Sequence, residues 1–480
     1  MGISNALNNA ASGLAASSRL ADTIANNVAN ALTPGYGKRV TELSSLSLGG
    51  YGSGVRVTGT ARTETAFITA ERRAMDAAAG QAGALAATYE RIATALGEPG
   101  ASGALATRAT ALETALMSAV AAPQSLTELT DAVGAASGLA EGLNAASNEA
   151  TRLRTEADAE IARQVATVNE SLGAIRDINA KITAMRSSGG DVSALQDEQD
   201  RLTDRIATII PLRTVKREGD QLAIYSAGGA PLLDGRVWGL GFQQGPSVVT
   251  PGMTPGAPLG LLTQDQGGAA PVAVGGLMDG GSLSALFRTR DEIVPEFQAE
   301  IDRYAAELVD RFETLVPAGA RDAAGAGLFV DAGTGVGAAG RIALNAAVDP
   351  TQGGAAWRLR DGLAAASPGD EGNGAILQSL ADAMSTARPS AGWVTQNASA
   401  DAGTMASELS SFYAARAAGG EESRAYLAGR QVTLAESEMN VIGVDTDAEL
   451  QSLTLVQQAY AANARVLSVI DDLMKRLLEV

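Results

Sequence analysis

The chain opens with the stretch MGISNALNNAASGLAASSRLADTIANNVANALTPGY (residues 1–36), in which apolar and small residues recur at alternating steps of three and four. One column of this repeat is Leu7, Leu14, Ala21 and Val28, and the other is Ile3, Ala10, Ser17, Ile24 and Ala31. The pattern predicts an amphipathic helix with a coiled-coil-type stripe, and it leaves Asn26 and Asn27 outside that stripe. Because the stripe residues are small, we expect the helix to be weak on its own.

A sharp end to this helix is predicted at Thr33-Pro34-Gly35-Tyr36. Proline at the second position and glycine at the third are the residues that a type II turn requires. Pro34 also disfavours helical backbone at Thr33, the residue before it.

Residues 441–480 repeat the same plan with larger side chains. One column is Leu453, Tyr460, Leu467 and Met474, and the other is Val456, Asn463, Ile470 and Leu477. Thr446 and Glu449 have the spacing of a capping box, which predicts a helix that begins near Asp447. We interpret Asn463, the polar member of the stripe, as a residue that fixes the register of helix pairing, with a solvated position as the alternative.

The charges of the two ends favour their pairing with each other. Residues 1–60 hold four basic and two acidic residues, whereas residues 441–480 hold three basic and six acidic residues. The alternative is that each helix packs on the core of its own domain, as most amphipathic helices do. We favour pairing because both stripes lie at the chain ends, which usually fray unless they are held.

Composition narrows the classes of function. Of the 480 residues, 46% are hydrophobic but only 4% are aromatic, which suits thin helical bundles. The chain has no cysteine and no histidine, so it lacks thiolate nucleophiles, imidazole bases and the commonest metal ligands. A net charge of −18 opposes binding to nucleic acid or to anionic membranes. We therefore expect a protein that is not an enzyme and binds no cofactor, metal, nucleic acid or membrane.

Targeting signals are also informative. The N-terminal residues lack the basic segment and the continuous apolar segment of a secretory signal peptide, and we find no run of 18 apolar residues. We expect that a chain of this kind leaves the cell, if it does, by a route that reads an uncleaved N-terminus.

The middle of the chain alternates helical and strand-like segments. Apolar periodicity predicts helices between residues 61 and 210, with an antiparallel pair broken at Ser187–Gly190, a helix from Gly281, and a last helix over about 400–440. Residues 241–280, rich in glycine and proline, predict a loop or an irregular β region. The strand-like segments are Gln221–Tyr225, Pro231–Trp238, Arg341–Ala347 and Trp357–Leu359.

This order predicts a mainly α protein. We expect a long helical rod, formed by the N- and C-terminal halves of the chain, with coiled-coil-like terminal helices and small β-containing insert domains. The predicted domains are a terminal polymerisation domain of paired helices (1–60 with 436–480), a helical rod domain (61–210 with 281–320 and 396–435), a β or loop insert (211–280) and a small β-containing side domain (321–395).

Two motifs that resemble ligand sites are interpreted as incidental. Residues 335–340 match GxGxxG, but the strand-like Arg341–Ala347 follows where a dinucleotide site needs a helix. Asp445, Asp447 and Glu449 lack the glycine and the final glutamate of a calcium loop, so we assign these acids to helix capping.

Two segments carry a resemblance to a known family. The stretch from Asn26 to Tyr36 (NNVANALTPGY) resembles the N-terminal signature of flagellar rod, hook and hook-associated proteins. The stretch from Gln457 to Val466 (QQAYAANARV) is similar to the closing helix of the same proteins. The two matches occur in the expected order and at both ends of the chain.

The middle of the chain narrows this resemblance. Rod and hook proteins pass from the first helix almost directly into β structure, and filament proteins lack the TPGY turn. The long helical segment, with Val168-Asn169, Ile178–Ile182, Gly281–Leu283 and Arg290-Asp291, resembles the hook-associated protein 1 (FlgK) family. This chain departs from the family's usual pattern at Val444–Asp447, and its variable regions 240–280 and 320–395 are short.

The resemblance implies a structural component of the bacterial flagellum at the hook–filament junction, outside the cell after type III export. It implies that copies of the chain polymerise, that hook protein and a second hook-associated junction protein are neighbours, and that an export chaperone binds the C-terminal helix. Another axial subunit of the hook, rod or filament type is the alternative. A secreted enzyme would need a catalytic cluster within residues 211–395, where no such cluster is visible without histidine or cysteine and a pair of carboxylates is the alternative that stays open.

The predicted assembly interface combines the two helical stripes with the turn that follows the first. Its residues are Ile3, Leu7, Leu14, Ile24, Val28, Asn30, Thr33, Gly35, Tyr36, Leu453, Val456, Tyr460, Asn463, Leu467, Ile470, Met474 and Leu477.

Overall fold

The computed structural model describes residues 2–48, 51–98, 100–390, 394 and 397–478 of the chain. The protein is mainly α-helical, as the sequence predicts. The helices are α1 (Gly2–Asn30), α2 (Ala66–Leu96), α3 (Leu105–Ala121), α4 (Leu126–Ser187), α5 (Ser193–Ala207), α6 (Gly281–Arg288), α7 (Val294–Thr314), α8 (Ala338–Arg341), α9 (Arg358–Asp361), α10 (Ala375–Ser385), α11 (Ala402–Ile442) and α12 (Thr446–Leu478), with a π-helical turn at Thr289–Ile293 between α6 and α7.

The strands are short apart from one hairpin. They are β1 (Arg39–Leu48), β2 (Tyr51–Arg62), β3 (Leu212–Lys216), β4 (Leu222–Ser226), β5 (Pro231–Asp234), β6 (Arg236–Val237), β7 (Leu240–Gly241), β8 (Thr254–Pro255), β9 (Pro258–Leu259), β10 (Thr263–Gln264), β11 (Val272–Ala273), β12 (Phe329–Asp331), β13 (Ile342–Leu344), β14 (Arg388–Pro389) and β15 (Ser399–Ala400). The antiparallel pairs are β1–β2, β12–β13 and β14–β15, and the larger antiparallel sheets have the orders β3-β4-β5-β6 and β11-β10-β7. The strands β8 and β9 pair in parallel.

A long helical body, here called the rod, is formed by α2–α7 together with α10 and α11. Its main apolar cluster contains Leu112 of α3, Leu139 of α4 and Phe297 of α7, all fully buried. Phe297 packs edge-to-face on Tyr413 of α11, with ring centroids 5.1 Å apart, so the C-terminal half of the chain completes the core. The helix α4 has 62 residues, which gives it a length of about 93 Å at 1.5 Å per residue.

The predicted antiparallel pair after residue 160 is confirmed as α4 and α5. The chain turns at Gly189, which has φ +75°, a value that favours glycine. The two helices and β4 are joined by the buried side chain of Asn179, which accepts a hydrogen bond from Gln199 (2.7 Å) and another from the backbone N–H of Leu222 (2.9 Å). The apolar residues of α4, α5, β4 and β5 form a second core cluster.

The insert between β6 and α6 has little regular structure, as its composition predicts. Arg154 of α4 is buried and donates hydrogen bonds to the carbonyl oxygens of Thr250 (3.0 Å) and Met253 (2.7 Å). Buried charges of this kind are retained where they are fully hydrogen-bonded. The insert is thereby held against the long helix.

Residues 321–374 pack on the rod. Phe329 of β12 and Leu344 of β13 belong to the same apolar cluster as α4 and α7. Within the predicted strand-like Arg341–Ala347, residues 342–344 form β13. The strand predicted at Trp357–Leu359 is wrong: Trp357 has φ −60° and ψ −21°, and it leads into the single helical turn α9, which buries Leu359. The domain boundaries remain predictions.

Among the helices of the described residues, none combines the length and the apolar character that a membrane span requires.

Candidate assembly interface

The two ends of the chain lie side by side. The helix α12 runs antiparallel to α1, so that Asn463 lies against Gly13 and Glu449 lies against Asn27. We call α1 and α12 together the terminal pair. It brings residues separated by more than 400 positions into one interface.

The predicted interface residues of α1 are buried to different degrees. Ile24 is buried, Ile3, Leu14 and Val28 are half-buried, and Leu7 is 44% exposed. The buried face of α1 also contains Ala16 and Asn27, which the predicted stripe leaves out. The face is therefore rotated relative to the prediction.

The hairpin of β1 and β2, which the sequence analysis did not predict, explains this rotation. It packs along the flank of α1, where Thr23 and Thr41 share a hydrogen bond between hydroxyl groups (2.7 Å) and Ser12 accepts one from the N–H of Val55 (3.2 Å). The alternation of Val55 and Val57 is the signal that could have revealed a strand. Glycine, serine and threonine around these residues weaken that signal.

The predicted residues of α12 are less buried than those of α1. Ile470 is buried, and Leu453, Val456, Asn463 and Leu467 are half-buried. Tyr460 and Met474 are 49% and 46% exposed. Leu477 lies in the helix, but its side chain is outside the described part of the structure.

The side chain of Asn463 lies directly against a glycine of α1, Gly13. A Cβ atom placed on Gly13 would lie 2.6 Å from Nδ2 of Asn463, so a larger residue at Gly13 would displace this side chain. A register shift of the helices would place a larger residue there. This close approach is consistent with the interpretation that Asn463 fixes the register, which stays a prediction.

Asn27 is the functional candidate that the sequence analysis missed. It is 1% exposed and fills its hydrogen-bonding capacity: Nδ2 donates to the Arg39 carbonyl (2.9 Å) and to Glu449 (3.2 Å), while Oδ1 accepts from the Tyr36 hydroxyl and the Arg39 N–H (both 3.0 Å). This one side chain connects α1, the turn, the hairpin and α12.

The predicted type II turn is confirmed. Gly35 has φ +79°, and the N–H of Tyr36 donates to the Thr33 carbonyl (3.1 Å). Asn30 accepts a hydrogen bond from the Thr33 hydroxyl (3.3 Å), which links the helix end to the turn. The turn directs Tyr36 back to Asn27, and burial raises the pKa of the Tyr36 hydroxyl, so the phenol stays protonated as a donor.

The start of α12 differs from the predicted capping box. Asp445 caps the helix, because its carboxylate accepts hydrogen bonds from the N–H groups of Asp447 (3.0 Å) and Ala448 (3.1 Å). Glu449 instead turns toward the N-terminal segment, where it is 4% exposed and pairs with Lys38 (2.8 Å). A buried carboxylate needs such a partner, and the residue just before the hairpin supplies it.

An open cleft lies at the free end of the terminal pair. Its volume is about 560 Å³, and its apolar lining consists of predicted interface residues of both helices: Ile3, Leu7, Leu467, Ile470 and Met474. The contact between α1 and α12 thus continues into a cleft that the described residues of the chain leave open.

The hairpin beside the terminal pair is attached to the rod through charged groups, here called the joint network, which continues between α2, α5 and α11 of the rod. The network pairs the arginines Arg39, Arg62, Arg72 and Arg73 with the carboxylates of Asp76, Asp197, Asp200, Asp204 and Glu438. Asp197 of α5 pairs with Arg39 (3.2 Å) and Arg62 (3.1 Å) of the hairpin. The two large apolar clusters lie on the rod side of this joint.

The pKa values of two carboxyl groups in the joint network, Asp197 and Asp200, are shifted in opposite directions. Burial raises the pKa of Asp197 above its usual value, despite the neighbouring Arg62. Burial opposes ionisation of Asp200 as well, but the guanidinium groups of Arg73 and Arg62 outweigh it and lower the pKa of that carboxyl.

Two backbone N–H groups of the GxGxxG segment are hydrogen-bonded to another side chain of the protein. A one-turn helix, α8, begins within it at Ala338, and the N–H groups of Gly337 (2.6 Å) and Ala339 (2.9 Å) donate to the carboxylate of Asp302 on α7. These are the groups that a dinucleotide phosphate would need. Within the described residues, no group of three or more acidic side chains is arranged to hold a metal ion.

Comparison with known families gives matches along most of the chain. The model described as the flagellar hook-associated protein FlgK helical domain matches residues 89–329, half of the chain. The model of the flagella basal body rod protein matches residues 7–36, and that of the C-terminal region of the flagellar basal body rod FlgEFG proteins matches residues 439–480.

Individual relatives are similar over part of their length. Flagellar hook-associated protein 1 of Salmonella typhimurium is 29% identical over 247 residues, which cover 48% of this chain and 43% of that protein. The protein of the same name from Escherichia coli is 26% identical over 326 residues, covering 66% and 58%. The chain thus spans about half the length of these relatives. The solved structure of the flagellar hook junction protein FlgK from Burkholderia pseudomallei matches 55% of this chain and 46% of that chain, with 19% identity and a TM-score of 0.45.

Proposed function

Because the chain belongs to the family of flagellar hook-associated proteins that the FlgK helical domain defines, we propose that it is a structural subunit of the junction between hook and filament. The observation that carries the proposal is the terminal pair, in which the two chain ends form one interface with an apolar cleft that the described residues leave open. The relatives that the chain resembles are named for the hook and not for an enzymatic activity.

The mechanism that we propose is assembly coupled to ordering of the terminal pair. Among the α12 residues whose side chains are described, only Glu449 and Ile470 are buried. A helix with so little buried surface gains little stability within one molecule. Contacts with neighbouring copies would supply the missing burial, so the helices become rigid in the polymer.

The residues that we propose for the assembly interface are the predicted stripes and turn, now extended by Asn27. Asn27 joins the helices through Glu449, and the stripe residues Leu467, Ile470 and Met474 line the cleft together with Ile3 and Leu7. The rod would hold the insert and the side domain of the subunit at a fixed distance from this interface.

The proposed partners follow from the family. They are other copies of the chain, the hook protein, a second hook-associated junction protein and an export chaperone that binds α12 before assembly. We propose that the protein is secreted through the flagellar export apparatus without removal of its N-terminal segment. That segment forms α1, which packs against α12 and the hairpin, and it is therefore part of the finished interface.

A rod or hook subunit is the second candidate, because rod-protein models match residues 7–36 and 439–480. The helical domain match at residues 89–329 separates the two candidates, since it covers the segment in which the junction protein differs.

Placement in the flagellum tests the proposal. Labelled protein should lie only at the boundary between hook and filament. Labelling along the filament or within the flagellar basal-body rod would contradict the proposal. A variant that lacks residues 441–480 should retain the folded rod, because both apolar clusters end before α12. It should not support filament growth, whereas normal filaments on this variant would exclude the assembly role.

A further inference from the structure

The helix α12 carries a second apolar stripe. Leu455, Ala459, Ala462, Val466, Val469 and Leu473 follow one another at alternating steps of four and three. With 3.6 residues per turn, this outer stripe is centred roughly 110° around the helix from the stripe that faces α1. All six side chains are exposed, and among the four larger ones Leu455 and Val469 are the most exposed, at 66% and 58%.

The partner helix α1 shows no comparable surface among its described residues. The hairpin covers one of its flanks, and α12 covers another. The exposed side chains that remain are mostly asparagine, serine and charged residues, such as Asn5, Ser18 and Asp22. The terminal pair is therefore asymmetric, with a broad apolar arc on α12 that is only partly covered.

The cleft at the free end of the pair offers the complementary surface. It continues the interface between α1 and α12, and its apolar lining comes from both helices. The charged groups at the cleft, Asp471 and Lys475, pair with each other (2.6 Å). A third helix lying in this cleft would contact two helices at once, which is the packing that helical bundles use.

We propose that the C-terminal part of the outer stripe of α12, around Val469 and Leu473, packs into the cleft between α1 and α12 of a neighbouring copy of this chain. The inference rests on the proposed function and specifies which surfaces meet in the polymer. Stripe and cleft lie on the same pair but on different surfaces, so the contact is head-to-tail. Contacts of this kind generate rings or helical assemblies.

The size of the stripe favours a second copy over a single tightly bound partner. It spans about 27 Å along one helix, and one such stripe covers less than the roughly 800 Å² per partner that a stable complex uses. A copy inside a polymer makes the contact twice, once with its stripe and once with its cleft. The contact therefore binds two isolated molecules only weakly, but its contributions add up along an assembly in which every copy makes it twice.

The absence of cysteine from the chain allows a direct test. One variant carries Val469→Cys in the outer stripe, and the other carries Leu7→Cys in the cleft. Each holds one thiol, so a disulfide can form only between two molecules. In flagella from cells that express both variants, mild oxidation should give disulfide-linked dimers. Ser468→Cys, exposed on the polar face next to Val469, is the matched control and should give few when combined with Leu7→Cys.

Two outcomes of this experiment would overturn the inference. In the first, assembled flagella contain both thiols but yield no more dimer with Val469→Cys than with Ser468→Cys. In the second, the thiol of Val469→Cys reacts with a maleimide reagent as readily in assembled flagella as in purified unassembled protein, which would show that the stripe stays uncovered in the polymer.

A charge substitution separates this inference from the proposed function. Val469→Asp should reduce incorporation at the junction by about tenfold or more, because the contact would bury an unpaired carboxylate, whereas Ser468→Asp should incorporate normally. If the natural chain assembles and Val469→Asp assembles equally well, the packing scheme is wrong and the function stands. If the natural chain does not localise to the junction, the proposed function itself is wrong.

Discussion

The rod and the terminal pair are both made of long packed helices, yet different interactions hold them. In the rod, large side chains such as Leu112, Leu139 and Phe297 are completely buried in one apolar cluster. In the terminal pair, small residues and a few polar contacts do most of the joining, and Asn27 is as buried as the rod leucines. The comparison indicates that the rod is stable in one molecule, whereas the pair depends on directional contacts and on neighbours.

The largest expected effect is in the rod. Phe297→Ala removes a fully buried ring that packs on Tyr413, and it should lower the free energy of unfolding by about 3–5 kcal/mol. Urea unfolding followed by circular dichroism measures the change. Phe67 of α2 is 78% exposed, so Phe67→Ala serves as the matched control and should change the free energy by less than about 0.5 kcal/mol. Equal losses in the two variants would contradict the assignment of the core.

Asn27→Ala should have the next largest effect, confined to the terminal pair. It leaves the Arg39 N–H, the Tyr36 hydroxyl and Glu449 without their shared partner, which should reduce local stability by about 1–3 kcal/mol. Hydrogen exchange should accelerate in α1 and at the start of α12 but not in α4.

Its neighbour Asn26 provides the control for this prediction. Asn26 is exposed and bonds only within its own helix, to the Asp22 carbonyl (3.0 Å), so Asn26→Ala should leave exchange nearly unchanged. Faster exchange throughout the rod in Asn27→Ala would show that the two regions are not independent.

A smaller difference in stability is expected between alanine substitutions at two helical glycines, Gly173 and Gly13. Gly173 of α4 has open space around it, so Gly173→Ala should stabilise the protein by about 0.5–1 kcal/mol. Gly13→Ala should lose this gain, because its Cβ would lie 2.6 Å from Nδ2 of Asn463. In a background of Asn463→Ala the gain should return, and thermal unfolding of the single and double variants measures the coupling. The absence of coupling would argue against a register role for Asn463.

The smallest predicted effect concerns pH at the joint network. Because the folded state lowers the pKa of Asp200, its ionisation stabilises the protein above the unfolded pKa, and this stability is lost as the pH falls toward the folded pKa. Asp200→Asn should remove that part of the acid dependence, an effect below about 1 kcal/mol. The folded state raises the pKa of Asp197, so ionisation of this group destabilises the protein. Asp197→Asn should therefore not reduce the loss of stability at acidic pH. Titration of urea stability between pH 5 and pH 3 compares the variants.

Much of the helical architecture could be predicted from apolar periodicity, including α4, α5 and α7 and the two terminal helices. Periodicity reports which residues face a partner, but it cannot reveal a partner that gives a weak signal. The hairpin is such a partner, and because it was missed, the buried position of Asn27 was missed too. Glu449 fits a capping box by spacing alone, and only the position of Lys38 in three dimensions assigns it to an ion pair instead.

The joint network has a mechanical consequence. Apolar cores resist sliding because each displacement opens voids, whereas a carboxylate between two guanidinium groups can exchange one for the other with little change in energy. Asp197 of the rod helix α5 lies between Arg39 and Arg62 of the hairpin in this way. We therefore expect a bending load on the subunit to tilt the hairpin at this contact before it deforms the apolar core of the rod.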